Sequence, residues 1–427
     1  MLQFFLDPVL RAPTLGTMLM GLASGMIGCL VFLRRRSLLG EALSHAAYPG
    51  VVISVAIASF LFPFSEKGAL LSILIGALIA SLLGLFAIDL LEKRLNVKSD
   101  AALCFVLSTF FGVGVLIASR LQMTHPLWFQ QIQVFLFGQA ATMVDGDIGI
   151  YGLLACLVIA ILTAFLPKLK ILYFDPDFAK TVGMKTQRLD ALIYVLLVLA
   201  IVVGMRSVGV VLMSAMLIAP PAAARQWTNR FSTFFLLSAF FALVSGFLGN
   251  VLSLYVPNWS GAPHLSLPTG PMIVLCAVTL CLLSLLLSPK TGLVTRLVRI
   301  GRFRFRRRQE NLLKALYKKE SYSKSWWLMK RLEMKGWAKQ GALSEVGIRE
   351  AEKLIRLHRL WEVYLVHMGQ GAERVHANAE EMEHILTPEM EKELQALLDH
   401  PQVDPHKQPI PGASSGVSPE ASMRENL

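Results

Sequence analysis

Long apolar runs fill the first two thirds of the chain and restrict its fold more than any other feature. Of the 427 residues, 54% are hydrophobic and 16% are charged, whereas a soluble globular chain averages roughly 25% charged residues. The apolar runs lie in residues 1–290, and runs longer than about 18 residues are typical of membrane spans. The sequence therefore excludes a single soluble enzyme and predicts an all-α, polytopic membrane region followed by a soluble region.

The apolar runs predict nine spans, or eight if one of two short neighbouring spans, the sixth and seventh, is re-entrant. The nine predicted spans cover residues 14–33, 38–62, 69–91, 101–118, 148–166, 191–205, 208–224, 232–255 and 271–288.

The distribution of Lys and Arg predicts the orientation of these spans. The loops at 34–36, 93–98, 168–188 and 225–230, and the chain after Lys290, carry most of the cations, whereas the alternate loops carry few. Loops rich in Lys and Arg stay in the cytoplasm. We therefore expect a multi-pass protein of the cell (inner) membrane, with its N-terminus outside and its C-terminal domain in the cytoplasm.

Two residues with ligand chemistry lie inside the second predicted span. Glu41 and His45 are four residues apart, so they share one helix face. A carboxylate and an imidazole at membrane depth are suited to bind a divalent first-row cation or to relay a proton. The alternative is an interfacial pair that only forms a hydrogen bond. A membrane metalloenzyme would need a third ligand and a water position, and no neighbouring residue supplies them.

The loop at 170–188 contains the signature of a short helix. Asp175 is a plausible N-cap, Pro176 suits the first helical position and Gly183 suits the C-terminal stop, with Phe178 and Lys180 between them. Such a helix is a natural docking element for a soluble partner, although a surface helix without a partner fits the pattern equally well. No Gly-rich loop ending in Lys-Ser/Thr occurs in the sequence, so ATP hydrolysis would belong to another chain.

Four segments in the membrane region resemble the manganese/zinc/iron ABC permeases. The resemblance covers roughly residues 10–290, and it implies a permease subunit that is not itself an enzyme. It also implies pairing with a second permease subunit, delivery of metal by an extracytoplasmic binding protein and docking of a cytoplasmic ATPase on loops such as 170–188. Glu41 stands where that family usually has Asp. The four segments are 40–50 (GEALSHAAYPG), 135–138 (FLFG), 174–179 (FDPDFA) and 207–212 with 219–223 (SVGVVL and APPAA).

The soluble region carries imidazole and carboxylate groups at helical spacing. Residues 341–411 contain His358 with Glu362, His376 with Glu380, and then Glu383 and His384, but no cysteine. Groups at i, i+3 and i+4 converge on one side of a helix, and sets of imidazole and carboxylate suit Mn, Fe(II) or Zn. The alternative is a charged helix face joined by salt bridges.

Residues 343–411 resemble the iron- and manganese-dependent repressors of the diphtheria-toxin-repressor type. The resemblance implies that Glu380, Glu383 and His384 form a primary metal site, and that His358, Glu362 and His376 form an ancillary one. It also implies a dimerisation region ending near residue 411. The matching segments are 343–347 (LSEVG), 358–362 (HRLWE), 375–386 (VHANAEEMEHIL) and 400–411 (HPQVDPHKQPIP).

The DNA-binding part of this resemblance is incomplete. A winged helix needs three helices before its wing, but the sequence predicts one at 311–320, a second at 325–335 and a short wing after Gly336. The family has a further ligand from its first helix, for which only Asn311 or Glu310 is available here.

The segment from Arg299 to Lys339 contains fourteen Lys/Arg and three Glu, a net charge of +11. Its first part, to Arg308, is expected to lie on anionic lipid, with phosphates of operator DNA as the alternative. The expected DNA contacts lie on the second helix and the wing and are Lys324, Lys330, Arg331, Lys335 and Lys339.

Together these features predict a metal permease at 1–290, a basic juxtamembrane linker at 291–309 and an incomplete winged helix at 310–340. A metal-binding and dimerisation domain at 341–411 and a disordered tail at 412–427 would follow. The predicted function is import of a divalent transition metal (Mn or Fe, with Zn as a further candidate), coupled to metal-responsive control of transcription. The alternative is a cytoplasmic sensor that inhibits transport without binding DNA.

Overall fold

The computed structural model describes residues 3–61, 66–124, 126–259, 267–289, 291–320, 326–371, 379, 388–399 and 401–411. The chain divides into two compact units, Met1–Thr295 (unit 1) and Arg296–Leu427 (unit 2). Each unit has its own apolar core.

Unit 1 is a bundle of helices. Eight helices in the described part of the chain are long and apolar enough to cross a membrane, which confirms the predicted polytopic fold. The helices, with their bounds, are α1 (Gln3–Leu6), α2 (Pro8–Leu33), α3 (Leu38–Leu61), α4 (Glu66–Lys93), α5 (Ser99–Thr124), α6 (Pro126–Phe137), α7 (Asp145–Phe174), α8 (Pro176–Thr181), α9 (Thr186–Val208), α10 (Val210–Arg225), α11 (Phe231–Trp259) and α12 (Thr269–Leu287), with a 3₁₀ turn at Ala140–Thr142.

The sixth predicted span is longer than the sequence predicts, whereas the seventh is about as short as expected. The sixth is the full-length helix α9, which has 23 residues instead of 15, whereas the seventh is α10, which has only 16. The eight long helices do not include α10. The sequence underestimated α9 because its first turn, from Thr186, contains polar residues that hydropathy alone assigns to a loop.

The break between α9 and α10 depends on two glycines that approach each other. Gly209 has φ +97° and Gly138, at the end of α6, has φ +74°, which are conformations that favour glycine. A Cβ atom on Gly209 would lie 2.5 Å from the carbonyl oxygen of Leu136, and a Cβ on Gly138 would meet the backbone of Val208. The backbone N–H of Gln139 donates to the carbonyl of Arg206 at 3.0 Å. The C-terminal end of α6 therefore packs closely against the break between α9 and α10 and is hydrogen-bonded to it.

Helix α3 lies at the centre of unit 1, where it packs against α4, α5, α6, α9 and α10. Small residues allow the close approach of α4, because Gly50 meets the backbone of Gly76 and Gly84 meets the side chain of Ala46. Residues 42–52 are all buried. A polar group in this stretch is thus shielded by protein rather than exposed at the bundle surface.

Unit 2 begins inside a long helix, α13 (Leu293–Lys318), followed by α14 (Trp326–Met334), β1 (Ala338–Lys339), β2 (Ala342–Leu343), α15 (Glu345–His367) and α16 (Pro388–Leu397). The basic linker expected at 291–309 and the helix expected at 311–320 therefore form one continuous helix. The core of unit 2 contains Leu312 and Leu313 from α13, Leu328 and Leu332 from α14, and Ala351 from α15.

The two short strands form the predicted wing. They pair antiparallel, with Ala338 opposite Leu343. Ser344 then caps α15, because its Oγ accepts from the N–H of Gly347 at 3.1 Å and donates to the carbonyl of Gly336 at 2.5 Å. Two helices, α13 and α14, precede this wing in the part of unit 2 that the structure describes.

Candidate sites for metal transport and metal binding

Glu41 and His45 lie on the first two turns of α3 and face the bundle interior. His45 is 9% exposed and Glu41 is half-buried. The preceding loop turns tightly, since the N–H of Leu39 donates to the carbonyl of Arg36 at 3.0 Å. The helical spacing thus places a carboxylate one turn from a buried imidazole.

The imidazole of His45 is held by aromatic rings. Its ring centroid lies 4.7 Å from that of Phe111 on α5, in an edge-on arrangement, and Phe111 also contacts Tyr48 at 5.3 Å. The Nδ1 atom of His45 is buried and has no hydrogen-bond partner among the described residues. A buried polar atom without a partner is costly, and it is a feature expected of a group that binds a transient ligand.

The described residues contain no group of three or more His, Cys, Asp or Glu side chains arranged to hold a metal ion. Within the described residues, the α3 pair thus offers two groups with ligand chemistry. Two ligands suit a passing ion that keeps part of its hydration shell better than a structural ion, which typically has four protein ligands.

The predicted short helix at 175–183 is α8. The Oδ1 atom of Asp175 accepts from the N–H of Phe178 at 2.9 Å, and Pro176 occupies the first helical position. Gly183, with φ +78°, ends the segment. Phe178 is 52% exposed while Lys180 pairs with Asp177 at 3.0 Å, so α8 presents an aromatic ring beside a local ion pair.

The segment before α8 is more helical than the sequence predicts. Helix α7 continues eight residues past the predicted span end at 166, through Pro167, to Phe174. The loop expected at 170–188 is therefore reduced to α8 and its short connections. As a result, α8 follows the long helix α7 directly.

A cluster around Arg34 fixes this end of the bundle and was missed from the sequence. The guanidinium of Arg34, just after α2, pairs with Asp190 on α9, donates to the hydroxyl of Tyr194 at 2.8 Å and lies 5.1 Å from the ring centroid of Tyr173 on α7. A second pair joins Arg36 to Glu92 at 2.9 Å. The sequence assigned these arginines only to a basic loop, because their partners lie far along the chain.

The second site lies in unit 2, where α13, α15 and the segment at 401–411 enclose a cavity of about 450 Å³. His358 and Glu362 of α15 line it and are 8% and 2% exposed. The Nε2 atom of His358 lies 3.2 Å from Oε1 of Glu362. The structure thus confirms that these two residues are neighbours on one buried helix face.

Asn311 of α13 lines the same cavity. Its Oδ1 atom is buried and has no hydrogen-bond partner among the described residues. An imidazole, a carboxylate and an amide oxygen are all ligands that Mn, Fe(II) and Zn accept in proteins. The donor set of this cavity therefore fits a divalent metal. The remaining expected ligands, His376, Glu380, Glu383 and His384, lie outside the described residues.

Helix α13 also contacts α15 outside the cavity. The hydroxyl of Tyr317 lies 3.3 Å from Oε1 of Glu352. Burial raises the pKa of Tyr317, and the nearby carboxylate raises it further. The hydroxyl therefore stays protonated at neutral pH and serves as a donor between the two helices.

The expected DNA contacts are distributed over α14 and the wing. Lys330 and Arg331 lie on α14, Lys335 directly follows it, and Lys339 is exposed on β1. The Nζ atom of Lys335 lies 4.2 Å from the ring centroid of Trp337. Lys324 lies outside the described residues.

A bundle of long apolar helices, with a half-buried carboxylate beside a buried imidazole on its central helix, is typical of a polytopic membrane transport subunit. The sequence profile of the ABC 3 transport family matches residues 7–288. The chain belongs to this family. A second profile, described as the iron-dependent repressor metal-binding and dimerisation domain, matches residues 344–412.

The relatives agree with this assignment. The chain is 36% identical over 439 residues to a "Probable metal transport system membrane protein" of Chlamydia trachomatis, covering 95% of this chain and 97% of the relative. It is 36% identical over 310 residues to the "Manganese transport system membrane protein MntC" of Bacillus subtilis, covering 73% of this chain and 67% of the relative.

The fold also matches a solved structure, "PsaBC from Streptococcus pneumoniae in complex with Fab". The TM-score is 0.57 at 27% identity, and the match covers 70% of this chain and 97% of the other. These similarities confirm that the chain is a multi-pass permease subunit with a repressor-like C-terminal domain and is not itself an enzyme.

Proposed function

We propose that unit 1 carries a divalent first-row metal ion along a path that includes Glu41 and His45. The ion is Mn or Fe, with Zn as a further candidate. The observation that carries this proposal is the buried Nδ1 atom of His45, which has no partner among the described residues and lies one turn from a half-buried carboxylate. The names of the relatives, which refer to metal and to manganese transport, support the same class of substrate.

The chemistry of the pair suits transient binding. A neutral imidazole offers a lone pair of intermediate softness, while the carboxylate of Glu41 offsets part of the charge of the ion. The aromatic contact with Phe111 holds the ring in place, so the ion meets a preorganised ligand. Because few ligands hold the ion, it can leave again, and release is what transport requires.

Several partners follow from this function. A cytoplasmic ATPase docks on α8 through the exposed ring of Phe178, an extracytoplasmic binding protein delivers the metal, and a second permease subunit completes the pathway. This arrangement requires the N-terminus outside and unit 2 in the cytoplasm of the cell (inner) membrane, as the positive charge of the loops predicts.

Unit 2 serves as the metal sensor of the same protein. His358 and Glu362 form part of an ancillary metal site with His376, whereas Glu380, Glu383 and His384 form the primary site, for which Asn311 of α13 is a candidate further ligand. Metal bound between α13 and α15 would connect α13, the helix that follows the membrane region, to α15 of the sensing domain. We expect high cytoplasmic metal to reduce transport through this connection.

Control of transcription is a second candidate for unit 2. The wing formed by β1 and β2 and the cations of α14 favour it. A winged helix that lacks one of its three helices lacks the support that normally holds the recognition helix in the major groove. We therefore place inhibition of transport first.

The test is ATP-dependent uptake of radiolabelled Mn²⁺ into vesicles that contain the full chain and its ATPase. We expect competition by unlabelled Fe²⁺ or Zn²⁺ and none by Mg²⁺, because a magnesium ion prefers oxygen ligands and retains its water. Uptake that Mg²⁺ suppresses as well as Fe²⁺ does would contradict the proposed substrate class.

A further inference from the structure

The outer face of α14 consists of large apolar side chains and cations. Trp326, Trp327 and Met334 are 61%, 70% and 72% exposed. Lys330 follows Trp326 by four positions, and Met334 follows Trp327 by seven, so these residues lie on one side of the helix. Leu328 and Leu332 point the other way, into the core of unit 2.

The same face continues onto α13. The guanidinium of Arg331 lies 5.9 Å from the ring centroid of Phe305, which is 41% exposed. The Nζ atom of Lys330 lies 5.0 Å from the ring of Trp326, whose centroid is 4.7 Å from that of Trp327. We call Phe305, Trp326, Trp327, Lys330, Arg331 and Met334 the aromatic-basic face.

The chain that leads to this face is itself amphipathic. Leu293, Leu297 and Ile300 are exposed on α13, and they alternate with arginines at 296, 299 and 302. Five residues, 288–292, separate the last residue of α12 from the first of α13. The hydroxyl of Thr291 bonds Gln226 at 2.9 Å and that of Thr295 bonds the carbonyl of Ser288 at 2.9 Å. The first turn of α13 is therefore hydrogen-bonded to the segment that follows α12.

The side chains of the aromatic-basic face favour one of two anionic partners, a lipid surface rather than duplex DNA. A helix in the major groove identifies bases through polar side chains that reach base edges, and the exposed Trp326, Trp327 and Met334 offer few such polar groups. Exposed tryptophans mixed with Lys and Arg are instead typical of the boundary between headgroups and acyl chains. There the rings enter the boundary region while the cations meet lipid phosphates.

We propose that the aromatic-basic face docks on the anionic lipid surface of the membrane that unit 1 spans. Trp326, Trp327 and Met334 enter the headgroup region, and Lys330 and Arg331 bind the phosphates. In this arrangement the lipid surface covers α14, the helix that a DNA-binding protein would use for recognition. The inference goes beyond the transport function proposed above.

Hydrogen exchange of the full-length chain in lipid nanodiscs tests this docking. Two kinds of nanodisc are compared, one of phosphatidylcholine alone and one that also contains phosphatidylglycerol. We expect the amides of residues 326–334 to exchange about tenfold more slowly in the anionic discs, and high salt to remove part of the difference. Trp326→Ser with Trp327→Ser should abolish it. Val346→Ser with Met368→Ser, which alters exposed apolar residues elsewhere in unit 2, should leave it unchanged.

Three results would overturn the proposal. Equal protection of residues 326–334 in both kinds of disc would indicate a protein contact, such as a second copy of the chain. Protection by duplex DNA in phosphatidylcholine discs would show that the face binds nucleic acid. Retention of the lipid effect in the double tryptophan variant would place the lipid contact on other residues.

Discussion

The Nε2 atom of His358 lies 3.2 Å from Oε1 of Glu362, and both side chains are buried at the wall of the cavity that Asn311 also lines. The pair is the part of the expected ancillary metal site that the described residues contain.

We expect His358→Ala with Glu362→Ala to weaken Mn²⁺ binding to unit 2 by about tenfold or more, since two ligands are lost. Binding is measured by electron paramagnetic resonance on the full chain, with Glu41→Ala and His45→Ala in the background so that unit 1 does not contribute. His367→Ala, an exposed imidazole at the end of the same helix, is the control. Unchanged binding in the double variant would assign this pair a purely structural role.

Photo-crosslinking from position 178 should capture the ATPase, because Phe178 is exposed on a capped helix directly after α7. A benzoylphenylalanine is placed at 178 and, as a control, at Phe137, which is exposed at the end of α6. Asp175→Ala should reduce the yield, since loss of an N-cap costs about 1 kcal/mol of helix stability. Stronger capture from 137 than from 178 would assign the docking site elsewhere.

Arg34→Lys should lower transport even though it keeps the charge. A lysine provides neither the planar contact with Tyr173 nor the simultaneous bonds to Asp190 and Tyr194. We expect uptake to fall while the amount of protein in the membrane changes little. The matched control is Arg35→Lys, because Arg35 is exposed. Equal uptake by the two variants would show that the contacts of Arg34 do not affect transport.

Gly209→Ala should destabilise the permease, because the alanine would be strained at φ +97° and its Cβ would lie 2.5 Å from a carbonyl oxygen. Gly149→Ala is the control, since nothing lies within 4 Å of its added Cβ on α7; there we expect a gain of up to about 1 kcal/mol. The measurement is the melting temperature of each variant in detergent. A Gly209→Ala variant as stable as Gly149→Ala would contradict the proposed role of the break between α9 and α10.

The sequence predicted those features that depend on local pattern. Hydropathy located the spans, and the signature of Asp175, Pro176 and Gly183 located α8 to within a residue or two. The spacing of His358 and Glu362 predicted their shared face, since four residues make about one helical turn.

Features that depend on contacts between distant residues were not predictable in this way. The pairing of Arg34 with Asp190 spans 156 positions, and the approach of Gly138 to Gly209 is set by packing of α6 against α9. The continuity of α13 was missed because its arginines suggested a juxtamembrane linker, although arginine is a good helix former.

The central claim, that the ion passes Glu41 and His45, is tested most directly by uptake of radiolabelled Mn²⁺ into vesicles that contain the full chain and its ATPase. Glu41→Gln keeps the size of that side chain and His45→Phe keeps a planar ring, and together they remove a carboxylate and an imidazole. Ser44→Ala, at the neighbouring buried position whose hydroxyl bonds only the carbonyl of Gly40 at 2.7 Å among the described residues, is the control. We predict that the double variant inserts normally and loses uptake, while the control retains it. Uptake by the double variant at the rate of the control would contradict the account.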